Sequence, residues 1–209
     1  WKSNLDALGK LYGIEITSFA NLLEALRKAR AHFKDNGATA SDHGVFSAQT
    51  LKLESAKAEE LFKKALSGTA NNSELDDFRA AMLFEHALMA ADDGLVMQIH
   101  PGTLRNYDAE IFAKFGPDKG FDIPVATTFT KELQPLLNSV GKHPNFRAVL
   151  FTLDESTYSR ELAPLAGAYP ALRLGPPWWF HDSLNGLERW REAITETAGY
   201  YNTVGFIDD

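Results

Sequence analysis

Five short stretches of this 209-residue chain hold the side chains best suited to chemistry. They are Asp42 and His43 in "SDHG", His100 and Arg105 in "IHPGTLR", Asp154 and Glu155 in "LDEST", Trp178 and Trp179 in "GPPWWF", and Asp208 and Asp209 in "GFIDD". Imidazoles take and give protons near neutral pH. A guanidinium pairs with anionic oxygens, and carboxylates serve as bases or metal ligands. Indole rings offer a flat apolar wall, against a sugar face or a second subunit.

Each group also has a structural alternative. His43 could be a turn histidine held by neighbouring backbone, whereas His100, ahead of "PG" at the end of an apolar run, reads as a functional residue. Arg105 could pair with an acid on a helix or bind an anion. Asp154 and Glu155 could cap the helix that follows. Asp208 and Asp209 alternate in direction along an extended chain, so one of the two could face a site. His32, His86 and His143 lie on helices or at a helix end and read as structural.

The intervening segments say what positions these groups. Leu5, Leu8 and Leu11, then Phe19, Leu22, Leu23, Leu26, Ala29 and Phe33, recur at helical spacing, and "DNG" stops the second run. "SAKAEELFKKALSG" and "NNSELDDFRAAMLFEHALMAADDG" read as two further helices, an insertion over about 51–94. Strands are expected near 38–42, 95–100, 147–153, 171–175 and 203–208, with helices between the later ones and an extended loop over 103–128. Strands alternating with helices at spacings too long for hairpins imply an α/β fold with a parallel sheet. The five reactive stretches follow the five strands, at the sheet edge where α/β enzymes build their sites. No repeat or linker divides residues 1–209, which read as one domain.

Composition removes several classes. A formal charge of −7 and a pI near 5.4 speak against a nucleic-acid or anionic-membrane surface. The chain has no Cys, hence no disulfide, zinc thiolate or cysteine nucleophile. No signal-peptide pattern and no transmembrane-length apolar run is visible, so a soluble cytoplasmic protein is expected. Phosphate loop, nucleophile elbow and HExxH motifs are missing too. Residue chemistry alone therefore stops at part of an α/β enzyme with His, Arg, Trp and Asp at its strand mouths.

Taken together and in order, "SDHG", "MQIHPGTLRN", "LFTLDESTYSRELAPLAG", "LGPPWWFHDS" and "ETAGYYNTVGFIDD" resemble the uronate isomerases of hexuronate catabolism, in the amidohydrolase superfamily. The resemblance runs from about residue 4 to the last residue. It implies a distorted (β/α)8 barrel of which the five expected strands are the fourth to eighth. It implies interconversion of aldose and ketose hexuronates, D-glucuronate with D-fructuronate and D-galacturonate with D-tagaturonate, in a cytoplasmic homo-oligomer. By the same resemblance Asp209 binds a divalent metal, zinc being the expected ion, and serves as a base. His43 and His100 handle protons, Arg105 pairs with substrate oxygens, and Trp178 and Trp179 wall the pocket. The family's first-strand His-x-His ligands do not occur in this chain, so the chain taken alone is expected to be inactive. A metal-dependent hydrolase of the same superfamily and a non-catalytic sugar-acid-binding module are the alternatives.

Overall fold

The computed structural model describes residues 1–205. Eight α-helices are described: α1 (Lys2–Tyr12), α2 (Phe19–Asp35), α3 (Ser55–Ser67), α4 (Asn72–Asp93), α5 (Ala109–Phe115), α6 (Gln134–Val140), α7 (Ala163–Ala168) and α8 (Leu184–Ala198). Six strands accompany them: β1 (Ala40–Val45), β2 (Val96–Pro101), β3 (Thr103–Leu104), β4 (Ile123–Pro124), β5 (Ala148–Leu150) and β6 (Leu172–Leu174). The main sheet is wholly parallel in the order β1-β2-β5-β6. Strand order thus follows chain order with no reversal, unlike a doubly wound sheet, whose order turns back at a switch point.

One sequence expectation needs correction. Residues 103–128 are not simply a loop: β3 and β4 pair antiparallel, with α5 carried between them. The pair is only two residues long on each side, too short to leave an alternating pattern in the sequence. The expected strand near 203–208 begins with a parallel bridge between Leu174 and Thr203, and residues 206–208 lie outside the described residues. Asp208 and Asp209 lie outside the described residues.

Local sequence explains the helices that carry the sheet. Ser18 caps α2 by accepting from the Asn21 N–H at 3.1 Å. Asn71 and Glu74 form a reciprocal capping box that starts α4. This 22-residue helix buries nine residues, because it touches two cores at once. Phe78 joins Leu5, Phe19, Leu22, Leu61 and Phe62 in a core shared with α1–α3. Leu83, Phe84, Ala87, Ala90 and Ala91 instead face Met97, Ile99, Ala148, Leu150, Leu172 and Leu174 of the sheet. The helix side of β2 is buried at every second residue, and burying each of the Leu, Ile, Met and Phe side chains among these stabilises the fold by about 1.5–3 kcal/mol.

An ion pair sets where β2 begins. Arg30 of α2 donates to both oxygens of Asp93, at 2.5 and 2.9 Å, and Oδ1 of that carboxylate also accepts from the Leu95 N–H at 2.9 Å. Arg30 is buried, so its charge is neutralised where it stands rather than by water. The C-terminal end of α4 and the start of β2 are thereby tied to α2.

Candidate active site

Register decides which side chains meet. Asp42 lies beside Gln98 and Gly44 beside His100, so these four point to the face of the sheet away from the helices. Ser41 and His43 share the opposite face with Met97 and Ile99. Across β5, Gln98 lies beside Val149, which puts Phe151 on the same face as His100.

At the C-terminal mouth of this face is a cavity of about 450 Å³. Its lining includes Asp42, His100, Arg105, Phe151, Trp178 and Trp179. Four of the residues expected from sequence, His100, Arg105, Trp178 and Trp179, are therefore together. A volume of this size is in the range of small-molecule sites.

The His100 imidazole is held on three sides. Its Nδ1 lies 2.6 Å from Asp42 Oδ1. The ring stacks on Phe151 with centroids 3.9 Å apart and planes 17° apart, and meets the Trp178 ring edge-on at 5.0 Å. Phe151 can lie there only because residue 175 is glycine, since a Cβ at Gly175 would come within 2.1 Å of the ring. Arg105 follows Gly102, which at φ 91° adopts a left-handed backbone and packs so tightly that a Cβ would sit 2.1 Å from Thr127 Oγ1. The Arg105 guanidinium is aimed by Asp122 (3.3 Å) and Asp118 (3.5 Å) and lies 5.5 Å from the centre of the Trp179 ring.

The tryptophan loop is fixed from behind. Glu155 accepts from Arg189 at 2.7 and 2.8 Å and lies 3.0 Å from His181 Nδ1. His181 Nε2 donates to the Leu153 carbonyl at 3.0 Å. Glu155 thus acts outside the cavity, and Asp154 does what its capping alternative predicts. Asp154 accepts from Ser156 N–H at 3.0 Å and from Thr127 N–H at 3.0 Å, joining two loops at the mouth.

His43 is the residue that the structure does not bring to the cavity. Its Nε2 lies 3.1 Å from Ser41 Oγ, which also accepts from Arg30 at 3.2 Å, and its ring lies 4.7 Å from that of His86. Burial, with Arg30 adding to it and Asp42 opposing, pushes the His43 pKa down to about 4. Burial and the neighbouring His43 and Arg30 likewise push His86 down to about 3. Both imidazoles are neutral at pH 7, packed between sheet and helices. Adjacent strand residues face opposite sides, so Asp42 points to the cavity and His43 to the helices. Phe151 and Asp122 are the parts that sequence reasoning did not single out, while Asp42 and Glu155 were marked as strand-mouth acids without an assigned role. Strand alternation says that Asp42 and His43 face opposite sides, and the register against β2 shows that Asp42 is the one at the cavity.

The metal expected from the resemblance needs a cluster of donors. Among the described residues no group of three or more His, Asp or Glu side chains is placed to hold an ion. The described part of the chain does not fit a metal by itself. Among the described residues no helix is long and apolar enough to cross a membrane.

Comparison with known proteins gives a consistent result. A family model described as glucuronate isomerase matches residues 1–209. The uronate isomerase of Rhizobium meliloti (strain 1021) is 56% identical over 99% of this chain and 44% of its own length. The crystal structure of glucuronate isomerase from Caulobacter crescentus superposes with a TM-score of 0.95 at 51% identity, over 98% of this chain and 43% of that one. The uronate isomerase structure from Thermotoga maritima gives 0.93 at 30% identity, over 99% of this chain and 46% of its own. The chain thus spans less than half the length of these relatives.

Proposed function

The chain belongs to the glucuronate isomerase family, and from that premise we propose that it supplies part of the active site of an enzyme interconverting aldose and ketose hexuronates, D-glucuronate with D-fructuronate and D-galacturonate with D-tagaturonate. The observation that carries this reading is the cavity in which His100, Arg105 and the two tryptophans converge. Isomerisation moves one hydrogen from C2 to C1 and one proton from the C2 oxygen to the C1 oxygen. It therefore needs a group that exchanges protons with both oxygens, a cation for the carboxylate, and walls that keep water from the intermediate.

His100 fits the first need, because the nitrogen not engaged by Asp42 is the one left for substrate. Arg105 fits the second: its guanidinium stays half exposed and its neighbours Asp118 and Asp122 hold its direction, so it can receive a sugar-acid carboxylate in a bidentate pair. Trp178 and Trp179 supply the walls, with indole faces suited to a sugar ring. Asp209 takes the role that the resemblance implies, metal ligand and carbon base, together with ligands from outside this chain. On the same reading the four parallel strands and the Thr203 bridge are the fourth to eighth strands of a (β/α)8 barrel, and residues 1–209 are one partial barrel domain carrying a helical insertion.

The test is the full-length enzyme containing this chain, incubated with D-glucuronate while ketose is followed by NMR. Formation of D-fructuronate is expected. A well-folded full-length protein that leaves the uronate unchanged would overturn the reading.

A further inference from the structure

We infer that Asp42 is a positioning residue for the isomerisation, fixing the orientation and tautomer of His100 so that Nε2 is the nitrogen presented to substrate. The inference rests on the reading of the cavity just given and extends it to a residue on a different strand. Asp42 and His100 stand on neighbouring parallel strands and on one face, displaced by a single pleat. The carboxylate does not reach across loosely. Its Oδ1 also accepts from the His43 backbone N–H at 2.8 Å, so its own strand aims it before the histidine arrives. The imidazole in turn has its plane set by Phe151 and its edge met by Trp178.

A carboxylate can only accept, so in neutral His100 the proton sits on Nδ1 and the lone pair on Nε2. When Nε2 takes the proton of the substrate C2 hydroxyl, the resulting imidazolium lies 2.6 Å from a negative charge. The same proton then passes from Nε2 to the C1 oxygen, returning the imidazole to its starting tautomer. Asp42 gains and loses nothing in this cycle. A carboxylate placed in this way prevents the ring from flipping or from taking up the other tautomer, either of which would leave a donor facing an oxygen that must give up a proton.

An exposed carboxylate near a histidine can also be an idle surface pair, contributing about 0–1 kcal/mol and no chemistry. The side chain of Asp42 is 60% exposed in this chain, so the distinction has to be measured. The experiment uses the full-length enzyme labelled with 15N-histidine, with His100 assigned from His100→Gln, and compares it with Asp42→Asn and Asp42→Glu. In Asp42→Asn the amide can donate to Nδ1, and the neutral ring should change to, or mix with, the Nε2–H form in the 15N shifts. Turnover should fall about 100-fold with KM moving only a few-fold, and Asp42→Glu should recover part of it. An unchanged His100 tautomer, or a kcat within about threefold of wild type, overturns the inference. A wild-type enzyme that makes no ketose would instead defeat the isomerase reading, while the 15N comparison would still decide what Asp42 does.

Discussion

Gly175→Ala is the sharpest probe of the site because it touches none of the polar groups. An added Cβ would lie 2.1, 2.3 and 2.6 Å from Cε1, Cδ1 and Cζ of Phe151. Ordinary contact begins near 3.4 Å, so the ring or strand β6 must retreat by about 1.3 Å. Phe151 is 3% exposed and its ring is packed against His100 and Trp178, so overpacking should cost about 1–3 kcal/mol of stability. The displaced ring then carries His100 with it, since their centroids are only 3.9 Å apart. A misplacement of about 1 Å at a reacting group lowers turnover by as much as about 100-fold, so a loss of about 10- to 100-fold is expected. Ketose formation by the full-length enzyme and its thermal unfolding are the two assays. Gly167→Ala is the control: its Cβ meets only the Thr197 carbonyl at 3.6 Å, and within α7 it should be neutral or stabilise by up to about 1 kcal/mol. If Gly175→Ala keeps kcat within about threefold of wild type and unfolds no earlier, the packing argument for His100 is wrong.

Substitutions at two further residues test the scaffold. Glu161→Ala removes a carboxylate oxygen that accepts from Phe129 N–H (2.7 Å), Thr130 N–H (2.8 Å) and Thr130 Oγ1 (3.0 Å), and should cost about 3 kcal/mol in urea unfolding. Glu161→Gln, which keeps one acceptor, should cost about half as much; equal effects would show that the buried donors find other partners. Burial alone would raise the Glu161 pKa, but these donors and Arg160 hold it below the ordinary value, so its contribution is present at neutral pH and lost as the carboxylate protonates in acid. For His43 the folded value, about 4, lies below the ordinary 6.5, so the unfolded chain binds the extra proton between these limits. The His43 contribution should be full above about pH 6.5 and fall by about 2 kcal/mol toward pH 4, its partial exposure discounted. His43→Gln should flatten that slope, and an unaltered slope assigns the acid sensitivity elsewhere.

Much of the fold was visible in the sequence because its signals are local. Periodicity located α1 and α2, capping and stop residues located α3 and α4, and the apolar runs near 95–100 and 147–153 located β2 and β5. The elements that were missed are those whose signals are not local. The β3–β4 pair depends on contacts between residues about 20 apart, and Phe151 could be recognised as a site residue only once Gly175 was known to lie against it. His43 and Asp42 show a different limit. Both stand at a strand mouth, and choosing between them required the register against β2, which a single strand does not encode.

The site's precision depends on groups that never touch the cavity. Trp179 has a left-handed backbone at φ 50°, a conformation that costs a bulky residue on the order of 1–3 kcal/mol and persists only when its surroundings hold it. Those surroundings are the Glu155–Arg189 pair and His181, whose two nitrogens lie against Glu155 and the Leu153 carbonyl. One carboxylate at the end of the β5 loop thus joins α8 to the loop after β6, and the tryptophans sit where that joint puts them. The acids that the sequence marks as candidates divide accordingly. Asp42 faces the cavity and orients a histidine, Glu155 faces away and orients a loop, and Asp154 ties Thr127 to the same edge. An acid at a strand mouth need not be a catalyst: in this sheet, alternation along the strand selects which acids reach the cavity, and the others hold the loops that line it.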